Sequence, residues 1–162
     1  MFSSFQTVER VVYGRGVAAK LGDEVLRLGC RTVAVITDKG LVDAGIHTPL
    51  MASLKGAGVE ALLYDQAELL AVHEGPMSRY FGLHKVPSAC MPTILIPTTA
   101  GTGSEMTSNA VLNDPITDSK QGTVSDYLYA KVVLLDPELT ACLPPFYTAI
   151  TGLDALVHCI ES

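Results

Sequence analysis

Apolar and polar positions along this chain follow two periods, and the period separates strand from helix. Continuous apolar runs bounded by turn formers predict strands at Thr32-Val33-Ala34-Val35-Ile36-Thr37-Asp38 and Val59 to Tyr64, and buried strands at Thr93-Ile94-Leu95-Ile96 and Lys131-Val132-Val133-Leu134-Leu135-Asp136. A more polar first strand is expected over Gln6 to Tyr13, and another over Asn109 to Leu112. Helical spacing predicts a helix from Val17 to about Leu28, one near Pro49 to Lys55 with Leu50, Met51 and Leu54 on one face, and a last one over Tyr147 to Ser162. Pro137 favours a short helical turn that Pro144-Pro145 closes. The opening order, strand and helix in alternation, implies an α/β fold with a mostly parallel sheet and helices on both faces.

Composition narrows the class. At 162 residues, with 48% hydrophobic and 17% charged residues, the chain has the make-up of a globular domain with a substantial core. Its net charge is −6, with 11 basic residues that form no cluster, which argues against nucleic acid as a partner because phosphate neutralisation needs concentrated Lys and Arg. The start, Met1-Phe2-Ser3-Ser4-Phe5-Gln6, has neither a charged nor an apolar leader region, so the expectation is a soluble, cytoplasmic protein with no membrane partner. Cys30, Cys90, Cys142 and Cys159 have no paired or zinc-ribbon spacing and read as reduced thiols, three of them packed as small hydrophobes. Cys159 adjoins His158, but neighbours on a helix point about 100° apart, so adjacency makes no catalytic pair.

Candidate chemistry concentrates where apolar runs open into polar loops. The stretch Pro97-Thr98-Thr99-Ala100-Gly101-Thr102-Gly103-Ser104-Glu105-Met106-Thr107 puts glycines and hydroxyls after a strand, which suits an anion held by backbone N–H groups; a plain turn is the alternative. It is neither a Walker A loop nor a dinucleotide fingerprint, since no Gly-Lys-Ser/Thr follows and Met106 stands where the last glycine belongs. Gly14-x-Gly16-x-x-Ala19 meets the loosened fingerprint, but Gln6, Glu9 and Arg10 make its strand too polar for a central one, so a structural turn is preferred. Asp38, ending its strand, can accept both ribose hydroxyls of an adenosine and repel a 2′-phosphate, or can cap the turn before Gly40. Asp154 and His158, four apart, share a helix face; spacing alone reads more often as an ordinary surface pair, and as ligands they suit Fe²⁺ or Zn²⁺ better than Mg²⁺. His73, Glu74 and His84 read as surface residues.

The Pro97 to Thr107 loop, taken with Thr151-Gly152-Leu153-Asp154-Ala155-Leu156-Val157-His158-Cys159-Ile160-Glu161, resembles the paired signatures of the iron-containing (group III) alcohol dehydrogenases. Lys120, Asp136-Pro137-Glu138 and Leu143-Pro144-Pro145 fall between them in that family's order. The resemblance implies a Rossmann-like nucleotide-binding domain over 1–145 and, over 146–162, the first helix of a helical metal-binding domain. It implies NAD as cofactor, held through Asp38, Thr98, Thr99, Thr102, Thr107 and Lys120, and Fe²⁺ (or Zn²⁺) held by Asp154 and His158 as two of four ligands, with no further catalytic side chain. It also implies an oxidoreductase acting on a small alcohol or aldehyde, with room for a homo-oligomer. After Asp65 the chain departs from the family: the Gly-Gly-Gly-Ser segment is missing, and Gln66 leads straight into Ala67-Glu68-Leu69-Leu70-Ala71-Val72, which resembles a later helix. An inactive remnant or interaction module is therefore the competing expectation, and a lyase of the dehydroquinate synthase type fits the two signatures less well.

Overall fold

The computed structural model describes residues 6–64, 77–89, 91–114, 117–141 and 143–161. The helix expected over Ala67 to Val72 lies outside them, as do His73, Glu74, Cys90 and Cys142. Strand β1 (Val11–Tyr13) leads through a 3-10 turn (Val17–Lys20) into α1 (Leu21–Arg27), then come β2 (Thr32–Ile36), α2 (Lys39–Asp43), α3 (Thr48–Gly56) and β3 (Glu60–Tyr64). The two-residue strands β4 (Gly82–Leu83) and β5 (Ile94–Leu95) follow, then β6 (Asn109–Asp114), β7 (Ser119–Val124), β8 (Val132–Leu135), α4 (Pro137–Thr140) and α5 (Pro145–Glu161).

Parallel pairing dominates, as the alternating order predicts: β1 and β5 flank β8, β2 pairs β3, and β4 pairs β7, all parallel, while β6 and β7 form an antiparallel hairpin. Among the described residues the strands nonetheless fall into three sheets, β1-β8-β5, β2-β3 and β4-β7-β6. Strand β8 is the centre. Val132, Val133 and Leu134 are fully buried, with Val132 and Leu134 in one cluster and Val133 in another, the alternation of a strand covered on both faces. The larger cluster sets Val17, Leu21 and Val25 against Leu50, Leu54 and Val59. Val33, Val35, Ile94 and Ile96 lean on it from β2 and from β5 with its flank. The opposite face meets Val8 and Ala130, neither of which is helical.

Two expectations change. The run Thr93 to Ile96 is not deeply buried: β5 pairs on one side only among the described residues, and Leu95 is 38% exposed. The hairpin partner β7 adds a strand where none was expected and places Lys120 on it. Helices α1 and α3 cross closely because Gly22 has no side chain; its N–H donates to Ser53 Oγ at 3.0 Å, and that hydroxyl donates to Ala19 O at 2.7 Å. Glu24, buried in α1, accepts from Arg10 (3.0 Å) and Arg27 (2.7 Å). Cys30 is half-buried and Cys159 exposed, so Cys159 does not pack as a hydrophobe. No helix among the described residues is long and apolar enough to cross a membrane.

Candidate functional site

The Pro97 to Thr107 loop leaves the carboxyl end of β5, where a parallel strand delivers its ligand-facing backbone. Its hydroxyls divide into two sets. Thr102 Oγ1 and Ser104 Oγ share a hydrogen bond at 2.7 Å, and Thr107 Oγ1 donates to Ser104 O at 3.0 Å while accepting from Asn109 N at 3.4 Å. These bonds brace the loop. The Thr98 and Thr99 hydroxyls have no partner among the described residues and stand free for a ligand, Thr98 half-buried and Thr99 exposed.

Asp38 sits at the end of β2 and is exposed; its Oδ1 accepts from Leu41 N at 3.0 Å and caps α2. The capping role foreseen in the sequence is thus present, and it engages one carboxylate oxygen. Lys120, exposed on β7 opposite Asn113, makes no ion pair among the described residues.

The glycine turn at Gly14 to Gly16 is already occupied from within. Asp136 is 3% exposed; its Oδ1 accepts from Gly16 N and Glu138 N, each at 3.1 Å, and its Oδ2 from Ala18 N at 2.9 Å. One carboxylate therefore satisfies the start of the 3-10 turn and the start of α4, and the turn is structural as the polar β1 suggested. A cavity of about 280 Å³ borders this turn, lined by Gly16, Ala44, Ile46, Pro49, Asp136 and Leu139. Its carboxylate already carries three N–H donors.

Helix α5 carries the metal candidates. Asp154 Oδ1 and His158 Nε2 lie 3.8 Å apart, one turn from each other, with side chains 41% and 58% exposed. Metal–oxygen and metal–nitrogen bonds of about 2.0–2.2 Å can span that separation, so the pair fits a divalent ion as two adjacent ligands. No group of three or more His, Cys, Asp or Glu able to hold a metal occurs among the described residues. The loop and α5 touch: a Cβ on Gly101 would lie 3.0 Å from both Cβ and O of Thr151, one turn before Asp154. Sequence reading missed the nest around Asp136, although Asp-Pro after a buried strand, with Gly14-x-Gly16 elsewhere in the chain, was the available signal.

Residues 66–137 match the model of the iron-containing alcohol dehydrogenases. The chain is 38% identical over 195 positions to a sulfoacetaldehyde reductase of Bilophila wadsworthia, covering 96% of this chain and 50% of that protein. It is 32% identical over 204 positions to long-chain-alcohol dehydrogenase 1 of Geobacillus thermodenitrificans, covering 96% and 51%. A solved 1,3-propanediol oxidoreductase superposes with a TM-score of 0.92 at 25% identity over 99% of this chain and 52% of that one. A sulfoacetaldehyde reductase of Bifidobacterium kashiwanohense, solved with NAD⁺, superposes at 0.81 and 25% identity, covering 95% and 51%. The first of these alignments is longer than the chain itself, so at least 33 of its positions (195 minus 162) have no counterpart here. The chain spans about half the length of the curated relatives it matches, and by this match and this fold it is similar, over nearly all of its own length, to the iron-containing alcohol dehydrogenases.

Proposed function

We propose that this chain supplies the nucleotide-binding part of an NAD-dependent oxidoreductase, residues 1–145, and in 146–162 the first helix of a metal-binding part. The reaction is hydride transfer between NAD and a small alcohol or aldehyde. The observation that supports it most is the abutment of a loop with free Thr98 and Thr99 hydroxyls on the helix that presents Asp154 and His158 as a pair 3.8 Å apart. In this reading Thr98 and Thr99 bind the dinucleotide directly, Thr102 and Thr107 hold the loop's shape, and Asp38 accepts the adenosine ribose hydroxyls through its uncapped oxygen. Lys120 contacts the nicotinamide-side ribose or the phosphates. Asp154 and His158 hold Fe²⁺ or Zn²⁺, which when bound supplies Lewis acidity toward a substrate oxygen. The exposed apolar face of α5, with Phe146, Leu153 and Ile160 each at least 62% exposed, suits an interface with a further folded body.

A second reading is a module that binds without turnover. The unmatched alignment positions favour it, because they remove family sequence from within the aligned span.

Fluorescence titration with NADH and NADPH, and anaerobic calorimetry with Fe²⁺ and Zn²⁺ beside Asp154→Ala and His158→Ala, tests the proposal. NADH should bind more tightly than NADPH. If two ligands give roughly half of the about 10–16 kcal/mol of a full structural zinc site, the metal dissociation constant falls between high micromolar and micromolar. Absence of both NADH and metal binding would sink the reading. Alcohol-dependent NADH formation by this chain, abolished in either variant, would sink the second one.

A further inference from the structure

Gly101 and Gly103 stand two residues apart in one loop and are glycine for opposite reasons. Gly103 has φ +63°, a left-handed conformation, and a Cβ there would meet nothing within 4 Å. Gly101 has no positive φ, yet its Cβ would lie 3.0 Å from Thr151 Cβ, 3.0 Å from Thr151 O and 3.3 Å from Thr151 Cα. Every atom it meets is fixed by the α5 backbone, so no side-chain rotation relieves the approach. A helix yields as a unit, because its backbone bonds tie each turn to the next. Thr151, Asp154 and Ala155 are the half-buried residues of α5, the rest of the helix being exposed, and the loop contact falls at the first of them.

We infer that Gly101 is a positioning residue that sets where the Asp154–His158 pair stands relative to the free Thr98 and Thr99 hydroxyls. A displacement of the loop at Gly101, by an added Cβ or by a bound dinucleotide, is passed to α5 as a shift of the whole helix. What binds at the two ends rests on the function proposed above; the mechanical link does not.

The test uses the ¹⁵N-labelled 162-residue chain, with Gly103→Ala as the loop control. In the wild-type protein the Gly101 α protons should show nuclear Overhauser contacts to Thr151. Gly101→Ala should move the amide signals of Thr151 through His158 together, several-fold more than Gly103→Ala does. Co²⁺ then reports on the pair. Its affinity should stay within about two-fold in Gly101→Ala, since one helix carries both ligands, while the change that NADH causes in the Co²⁺ absorption spectrum should fall several-fold. Perturbation confined to residues 98–104, or an NADH-induced Co²⁺ change equal in variant and wild type, overturns the inference. If Gly101→Ala does not fold, the wild-type Overhauser contacts decide, and their absence overturns it. Failure of the wild-type chain to bind Co²⁺ or NADH removes the proposed function, while the amide map still decides the link.

Discussion

Replacing Asp136 asks whether the Gly14 to Gly16 turn is internal architecture or a ligand site. Its carboxylate is 3% exposed and accepts three backbone N–H groups. In Asp136→Ala the Ala18 N–H, whose bond is buried, loses its partner at about 1–3 kcal/mol. The Gly16 and Glu138 N–H groups are part-buried and can be rehydrated, so each loses about 0.5–1.5 kcal/mol. The total, about 2–6 kcal/mol, is a large share of the roughly 5–15 kcal/mol that holds a typical domain folded. Asp136→Asn separates the contributions, because Oδ1 serves two donors and Oδ2 one. The amide oxygen can keep the Oδ1 pair while its NH₂ opposes Ala18 N–H, so this variant should lose about half as much. Urea unfolding followed by circular dichroism should show midpoints in the order wild type, Asn, Ala at a constant slope. A loss below about 1 kcal/mol for Asp136→Ala would refute the burial argument. Several-fold tighter NADH binding by Asp136→Asn would show instead that the carboxylate had been blocking a dinucleotide turn.

Gly22→Ala places a Cβ 2.5 Å from Ala57 Cβ and 2.6 Å from Ser53 O, so overpacking of about 1–3 kcal/mol should outweigh the helix-propensity gain of about 1 kcal/mol and lower the melting temperature. Gly56→Ala, with nothing within 4 Å, should raise it, and the same sign for both would refute the steric account. Burial pushes the Glu24 carboxyl pKa up, but hydrogen bonds from Arg27 and Arg10 and their charges outweigh it and hold it below its usual 4.5. That stabilisation is present above the unfolded-state value and is lost as pH falls through the folded-state one, so Glu24→Gln should flatten the acid limb of the stability–pH curve below about pH 4.5; unchanged steepness refutes it. Asp38→Ala should cost about 1 kcal/mol by uncapping α2 and should narrow the preference for NADH over NADPH, read by urea midpoint and fluorescence titration; an intact preference would remove Asp38 from the nucleotide site.

The parts of the fold that local pattern determines were legible. The run Lys131 to Asp136 became the buried centre β8, Pro145 opens α5 close to its expected start, and the four-residue spacing of Asp154 and His158 does bring them together. What failed depended on partners distant in sequence. Thr93 to Ile96 has the composition of a buried strand, and whether its second edge is covered is not a local property. The hairpin partner Ser119 to Val124 is too polar to announce a strand and is one because β6 lies beside it in register, Asn113 opposite Lys120. Asp136 and Gly16 are 120 residues apart, so no local pattern joins the Asp-Pro step to the glycine turn it serves.

The division of the sheet also sets how the molecule opens in time. Strands β2 and β3 are zipped to each other from Thr32–Glu60 to Ile36–Tyr64, yet among the described residues no backbone hydrogen bond joins them to the β1-β8-β5 sheet. Only side chains, Val33 and Val35 among them, tie the pair to the common cluster. Lifting it away therefore breaks no ladder, only apolar contact, which is the profile of a sub-global cooperative unit rather than part of one continuous sheet. Amide protons of residues 32–36 and 60–64 should exchange with deuterated solvent through an opening shared between them and cheaper than the one that releases Val133, whose N–H is held by Arg10 O at the centre of the other sheet.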